Sequence, residues 1–165
     1  MKLTHYSDLG MRLLMYLALD KDRVVTIQEV SDRFAISKNH LVKISHQLTK
    51  SGLIESIRGR NGGVRLARAP EDINVEEALH ATEDNFDLVE CFSPDNHRCV
   101  ISDVCKLSGV LDKASAAFFA VLREFSLADL VSNGQAIENA LLPAPKEIQI
   151  MFQHRSKMAA RNKAC

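Results

Sequence analysis

The sequence predicts a mainly α-helical protein with a small β-hairpin wing: a winged helix-turn-helix followed by a long dimerisation helix. Three observations predict it. Apolar residues recur at helical spacing through most of the chain. Two short β-capable runs around a Gly-rich turn interrupt them between residues 53 and 67. The charge, balanced over the whole chain at 21 Lys+Arg against 21 Asp+Glu, is divided unevenly along it. Residues 1–68 carry a net +6, residues 69–142 a net −10 and residues 143–165 a net +4. A basic module followed by an acidic one is the pattern of a nucleic-acid reader joined to something else. The expected organisation is a DNA-binding domain over 1–72, a cysteine loop and dimerisation helix over 73–142, and a loose basic tail over 143–165.

The elements follow in order. Leu9, Leu13, Tyr16 and Leu17 share one face and give a first helix over about residues 6–19. Thr26 with Glu29 three residues on is a capping-box pattern, opening a short second helix through Ile27, Val30 and Phe34. Ala35-Ile36-Ser37 makes a tight turn. Ser37 caps a third helix, Leu41, Ile44 and Leu48 face inward, and Gly52 ends it in the left-handed conformation. Residues 53–57 and 64–67 pair as a hairpin, with Asn61-Gly62 as the turn signal. Pro70 marks a boundary, residues 74–83 form a short helix, and a long helix runs from about 103 to 126.

That order suits DNA. A helix enters the major groove with its polar face outward, and side chains near its N-terminus reach base edges. Ser37, Lys38, Asn39, His40 and Lys43 supply donors there, and Arg58, Arg60, Asn61 and Arg65 arm a slim Gly-rich wing. Aromatic content of 5% disfavours a single-strand binder that stacks bases. Winged helices also serve as protein-binding modules, and on that reading His40 is a plain surface residue.

Cys91, Cys99 and Cys105 fall in a C-x7-C-x5-C array, with Cys165 alone at the end. In a cytosolic chain such an array reads as metal or redox chemistry. Soft thiolates select zinc, copper(I) or an iron–sulfur cluster. Three thiolates leave a tetrahedral site one ligand short; His97, Asp95 and Glu90 are candidates nearby, and Asp8 from elsewhere. A Cys3His zinc site through His97 is the rival reading. Asp8 also reads as an acid stabilising the start of the first helix.

Leu107, Leu111, Ala114, Phe118, Val121 and Phe125 are spaced 4, 3, 4, 3, 4, a heptad seam. About 22 helical residues would span ~33 Å, and such a helix could pair with its twin, joining two readers into a dimer on an inverted-repeat site. The alternative is an intramolecular core helix.

Met1-Lys2-Leu3-Thr4, Tyr6-Ser7-Asp8-Leu9-Gly10, the run from Ser37 to Lys43 and the wing from Ile57 to Leu66 together resemble the winged-helix iron–sulfur repressors. The likeness is greatest to their nitric-oxide-sensitive branch, which Phe125-Ser126-Leu127-Ala128-Asp129-Leu130-Val131 also resembles, and it covers residues 1–142. The resemblance implies a cluster, 4Fe-4S or 2Fe-2S, held by Cys91, Cys99 and Cys105, with Asp8 of the partner subunit as fourth ligand. Ser108 stands where the family's iron–sulfur-assembly branch has a histidine, which argues against that branch. The seven-residue gap between Cys91 and Cys99 is longer than the family's usual one.

The expectation is therefore a homodimeric repressor that binds double-stranded DNA and senses nitric oxide, with nitrosylation of the cluster releasing DNA. A regulator responding to redox or iron–sulfur status, or a zinc or thiol switch, would keep the reader and change the sensor. No H-E-x-x-H, G-x-S-x-G or P-loop pattern is present, so no enzyme is expected. No apolar run approaches the ~18 residues of a membrane span, and no signal-peptide pattern opens the chain. A cytoplasmic location without membrane contact is expected.

Overall fold

A computed structural model of the chain describes residues 3–60, 62–93 and 99–141. It separates into two units, Met1–Ser132 and Asn133–Cys165. The tail expected over 143–165, Cys165 included, lies outside the described residues, as do Asn61, Asp95 and His97.

In the first unit α1 (His5–Ala18), α2 (Ile27–Phe34) and α3 (Lys38–Lys50) precede a hairpin of β1 (Ile54–Ile57) and β2 (Gly63–Leu66). Thr4 caps α1, its hydroxyl accepting the Ser7 amide. Thr26 caps α2 through the Glu29 amide at 3.1 Å. The reciprocal half of the expected capping box is absent: the Glu29 carboxylate instead accepts the Tyr16 hydroxyl at 2.7 Å and pairs with Arg23 at 2.8 Å. Ala35 turns the chain in the left-handed region at φ 53°, and the Ile36 amide closes onto the Ser31 carbonyl. Ser37 occupies the N-cap of α3, but its hydroxyl makes no cap bond. Gly52, at φ +74°, ends α3 with paired bonds from Gly52 to Thr49 and Leu53 to Leu48, the motif that consumes two orphan carbonyls.

The wing differs from a two-residue hairpin. Ile57 pairs with Gly63, which leaves a five-residue loop, closed by the Gly62 amide on the Gly59 carbonyl at 3.0 Å. The positive φ belongs to Gly59, at 114°. Gly63 serves a different need: a Cβ there would lie 2.4 Å from the Val25 carbonyl oxygen. Val25 and Val64 exchange backbone bonds of 2.9 and 2.8 Å, tying the hairpin to the segment before α2.

One core unites these elements. Leu13, Leu14, Val30, Leu41, Ile44, Leu48 and Leu53 are fully buried. It does not stop at residue 72. Ile73, Ala78 of α4 (Val75–His80) and Leu127 of α6 (Leu127–Leu130) belong to the same cluster. Ser126 and Asp129 form a true capping box on α6.

The long helix, α5, runs Lys106–Arg123, shorter than the expected 103–126. Eighteen residues span ~27 Å. Residues 102–104 form a separate 3-10 turn, so Cys105 stands at the N-cap position in extended conformation instead of inside the first helical turn. At the other end Phe125 lies beyond the helix, because its carbonyl accepts the Val75 amide at 2.9 Å and Asn74 bridges Ser126. In the second unit, α7 (Gly134–Leu141) starts on Asn133, whose carbonyl accepts the Ala136 and Ile137 amides.

Candidate nucleic-acid interface and cysteine segment

With Leu41, Ile44 and Leu48 turned inward, α3 has no choice about what it shows. Ser37, Lys38, Asn39, His40 and Lys43 are all exposed. Among the described residues Lys38 and Lys43 make no ion pair, so their charge is available to a phosphate. Arg58 and Arg60, exposed on the wing loop, are equally unpaired. Arg65 is different. It sits opposite Glu55 in the hairpin and bonds its carboxylate at 2.5 Å, a cross-strand pair. Its charge is shared with the wing's own framework.

A feature missed from sequence lies beside α3. The His5 ring of α1 meets the His40 ring edge-on, with centroids 6.5 Å apart. No local periodicity places residue 5 next to residue 40; only the packing of α1 on α3 does.

Cys91, Cys99 and Cys105 are free thiols, each half-buried. Cys91 lies in the 3-10 turn Glu90–Phe92, and Cys99 accepts the Ser102 amide through its carbonyl at the start of the next turn. Among the described residues no three His, Cys, Asp or Glu side chains are gathered to hold a metal. The Asp8 carboxylate pairs with Arg12 one turn on, at 2.8 Å. The donor set nonetheless has the right chemistry: three thiols outside any disulfide, in a segment built of turns, suit a soft metal or an iron–sulfur cluster.

The cysteines open onto α5, in which no residue is buried. Its apolar residues fall on two faces. Leu111 and Phe118 of the predicted seam are half-buried, whereas Leu107, Ala114 and Val121 are exposed and align with exposed Val110 and Ala117. The exposed seam is thus 107, 110, 114, 117, 121, still spaced in threes and fours. Leu107, Val110 and Val121 are 60%, 61% and 54% exposed, and Val104 just before the helix 79%. That continuous apolar strip has no cover among the described residues of the first unit.

The other face docks on α4. Arg123 makes a two-pronged bond to Glu76, both at 2.6 Å. The Arg123 guanidinium, through that bond, holds the Glu76 carboxyl below its ordinary value. His80 stacks on Phe119 with centroids 4.8 Å apart, and Phe86 meets both rings edge-on at 4.9 Å. This joint was also missed from sequence; the spacing of Glu76 and His80 four apart on a short helix was its only trace. Among the described residues no helix is long and apolar enough to cross a membrane.

Comparison with known proteins agrees with this architecture. The Rrf2 family model, described as an iron-dependent transcriptional regulator, matches residues 3–133. An HTH-type transcriptional regulator NsrR of Shouchella clausii is 49% identical over 134 residues, 81% of this chain and 90% of its own. The NsrR of Bacillus subtilis is 45% identical over 142 residues, 86% of this chain and 97% of its own. Among solved structures, IscR of T. potens superposes with a TM-score of 0.66 at 25% identity, covering 81% of this chain and 88% of that one. The cysteine regulator CymR of B. subtilis gives 0.68 at 22%, covering 81% and 98%, a likeness of fold.

Proposed function

The chain belongs to the Rrf2 family and is a winged-helix transcriptional repressor of that type, akin to regulators and not to enzymes; on that premise we propose that it acts as a homodimer that senses nitric oxide through an iron–sulfur cluster. Residues 1–72 read an inverted-repeat operator in double-stranded DNA, residues 73–142 sense and dimerise, and residues 143–165 are an appended basic tail. The observation that carries this reading is the exposed apolar seam of α5, which begins at the cysteine segment and ends where α5 is fastened to the reader.

Cys91, Cys99 and Cys105 would hold the cluster, with Asp8 of the partner subunit as fourth ligand once Arg12 gives it up. When bound, the cluster supplies iron that reacts with nitric oxide. The protein's part is mechanical. Holding Cys91, Cys99 and Cys105 together would fix the start of α5. The seam of α5 lies on its twin and sets the separation of two α3 helices. At its other end the Glu76–Arg123 pair and the His80–Phe119–Phe86 stack pass any tilt of α5 to α4, whose Ala78 is in the reader core. Releasing the cysteines lets α5 move, and the two α3 helices lose the half-site spacing.

Iron and sulfide analysis of anaerobically purified protein, with its visible spectrum, tests the sensor. Iron with matching sulfide, lost in Cys105→Ser, is expected; an altered spectrum in Asp8→Ala is expected for the fourth ligand. Zinc without sulfide would replace the cluster by a structural ion.

A further inference from the structure

We propose that His5, the first residue of α1, is a DNA-contacting residue, so that each half-site is read by α1 and α3 together. The inference rests on the reading of α3 as the recognition helix. His5 and His40 are both exposed, and their rings meet edge-on at 6.5 Å and 88°. That contact puts the His5 imidazole at the N-terminal end of α3, where Lys38, Asn39 and His40 also emerge. A group reaching DNA at His40 therefore has His5 as its neighbour on the same surface.

The chemistry of the position supports a ligand outside the protein. Among the described residues neither imidazole takes part in a hydrogen bond or ion pair. Asp8, three residues along α1, is engaged by Arg12 at 2.8 Å, and Glu83, at the N-terminus of α1, accepts the Thr4 amide at 2.6 Å. An imidazole offers a ring N–H to a phosphate oxygen or a base acceptor at either tautomer. Glutamine at the same position keeps an N–H donor, whereas alanine removes it.

An operator duplex is first selected from a random-sequence pool with the wild-type protein. Wild type, His5→Ala, His5→Gln, His40→Ala, Lys43→Ala and the His5→Ala/His40→Ala double variant are then titrated on it at one salt concentration. Loss of a hydrogen bond to a charged phosphate predicts roughly tenfold weaker binding for His5→Ala, a smaller loss for His5→Gln, and an unchanged melting temperature. The loss should persist in the His40→Ala background. If His5→Ala binds within about twofold of wild type while Lys43→Ala is weakened, His5 is not a contact. If its effect vanishes in the His40→Ala background, His5 only positions His40 and the direct contact is overturned. If the pool yields no preferred duplex and Lys43→Ala changes nothing, the reading of α3 itself falls, and this proposal with it.

Discussion

The reader and the sensing segment of this chain are stabilised in opposite ways. From α1 to β2 a dense set of leucines, isoleucines and valines is shut away from water, and each surface residue is left over by that packing. From Val100 to Val121 no side chain is buried, and Val100, Ile101, Val104, Leu107, Val110 and Val121 face outward. The reader needs only its own chain to be rigid. The second region leaves a row of apolar side chains exposed, and under the proposed function a twin helix covers them and makes their geometry controllable. A sensor built into the reader core could not move without unfolding it.

The contrast can be broken first at the core. Leu48→Ala in α3 should destabilise the fold by about 2–5 kcal/mol in denaturant titration, because a fully buried leucine leaves a cavity. Gly63→Ala should follow, costing on the order of 1–3 kcal/mol as the new methyl group meets the Val25 carbonyl and prises the wing from the segment before α2. At the other pole, Leu107→Asp with Val110→Asp should leave the melting of the monomer nearly unchanged. Sedimentation should instead show dissociation, and operator affinity should fall by roughly 10²-fold as paired half-sites are lost. A dimer that survives these charges would place the interface on another face.

The smallest effect belongs to the joint between the two regions. The Glu76 carboxyl is held below its ordinary value of 4.5, so the protein in its folded form resists protonating it. The contribution of that ion pair is present above the ordinary carboxylate range and is lost as pH falls through the depressed folded value. In Glu76→Gln the acid limb of the melting-temperature profile, at and below the ordinary carboxylate range, should flatten slightly. The same variant should weaken communication between α5 and the reader, seen as a smaller change in operator affinity on exposure to nitric oxide.

Local rules served the reader well because its elements are set by local chemistry. Thr26 capping α2, the left-handed Gly52, and the inward Leu41, Ile44 and Leu48 all follow from residues within a turn or two of one another. The errors arose where distant partners compete. Glu29 looked like half of a capping box, but Tyr16 and Arg23 claim its carboxylate. The end of α5 looked like Ser126, but backbone bonds to Asn74 and Val75 pull residues 125 and 126 out of the helix. The wing seemed to turn at Asn61-Gly62, yet the register opens a five-residue loop with Gly59 carrying the positive φ. In the sensing segment the cysteine spacing and resemblance were plain in sequence, whereas the two faces of α5 were not. Periodicity gives a seam but cannot say which of two overlapping seams meets α4 until Phe119 and Arg123 are seen to do so.

The reader's net +6 predicts that operator affinity falls steeply with salt although the whole chain is neutral. The central claim is tested most directly by titrating a selected operator duplex with anaerobic, cluster-bearing protein before and after one addition of nitric oxide stoichiometric with iron. Loss of specific binding in the treated protein, alongside a changed visible spectrum, is the predicted result. Colourless protein that binds the duplex equally well with and without nitric oxide would contradict it.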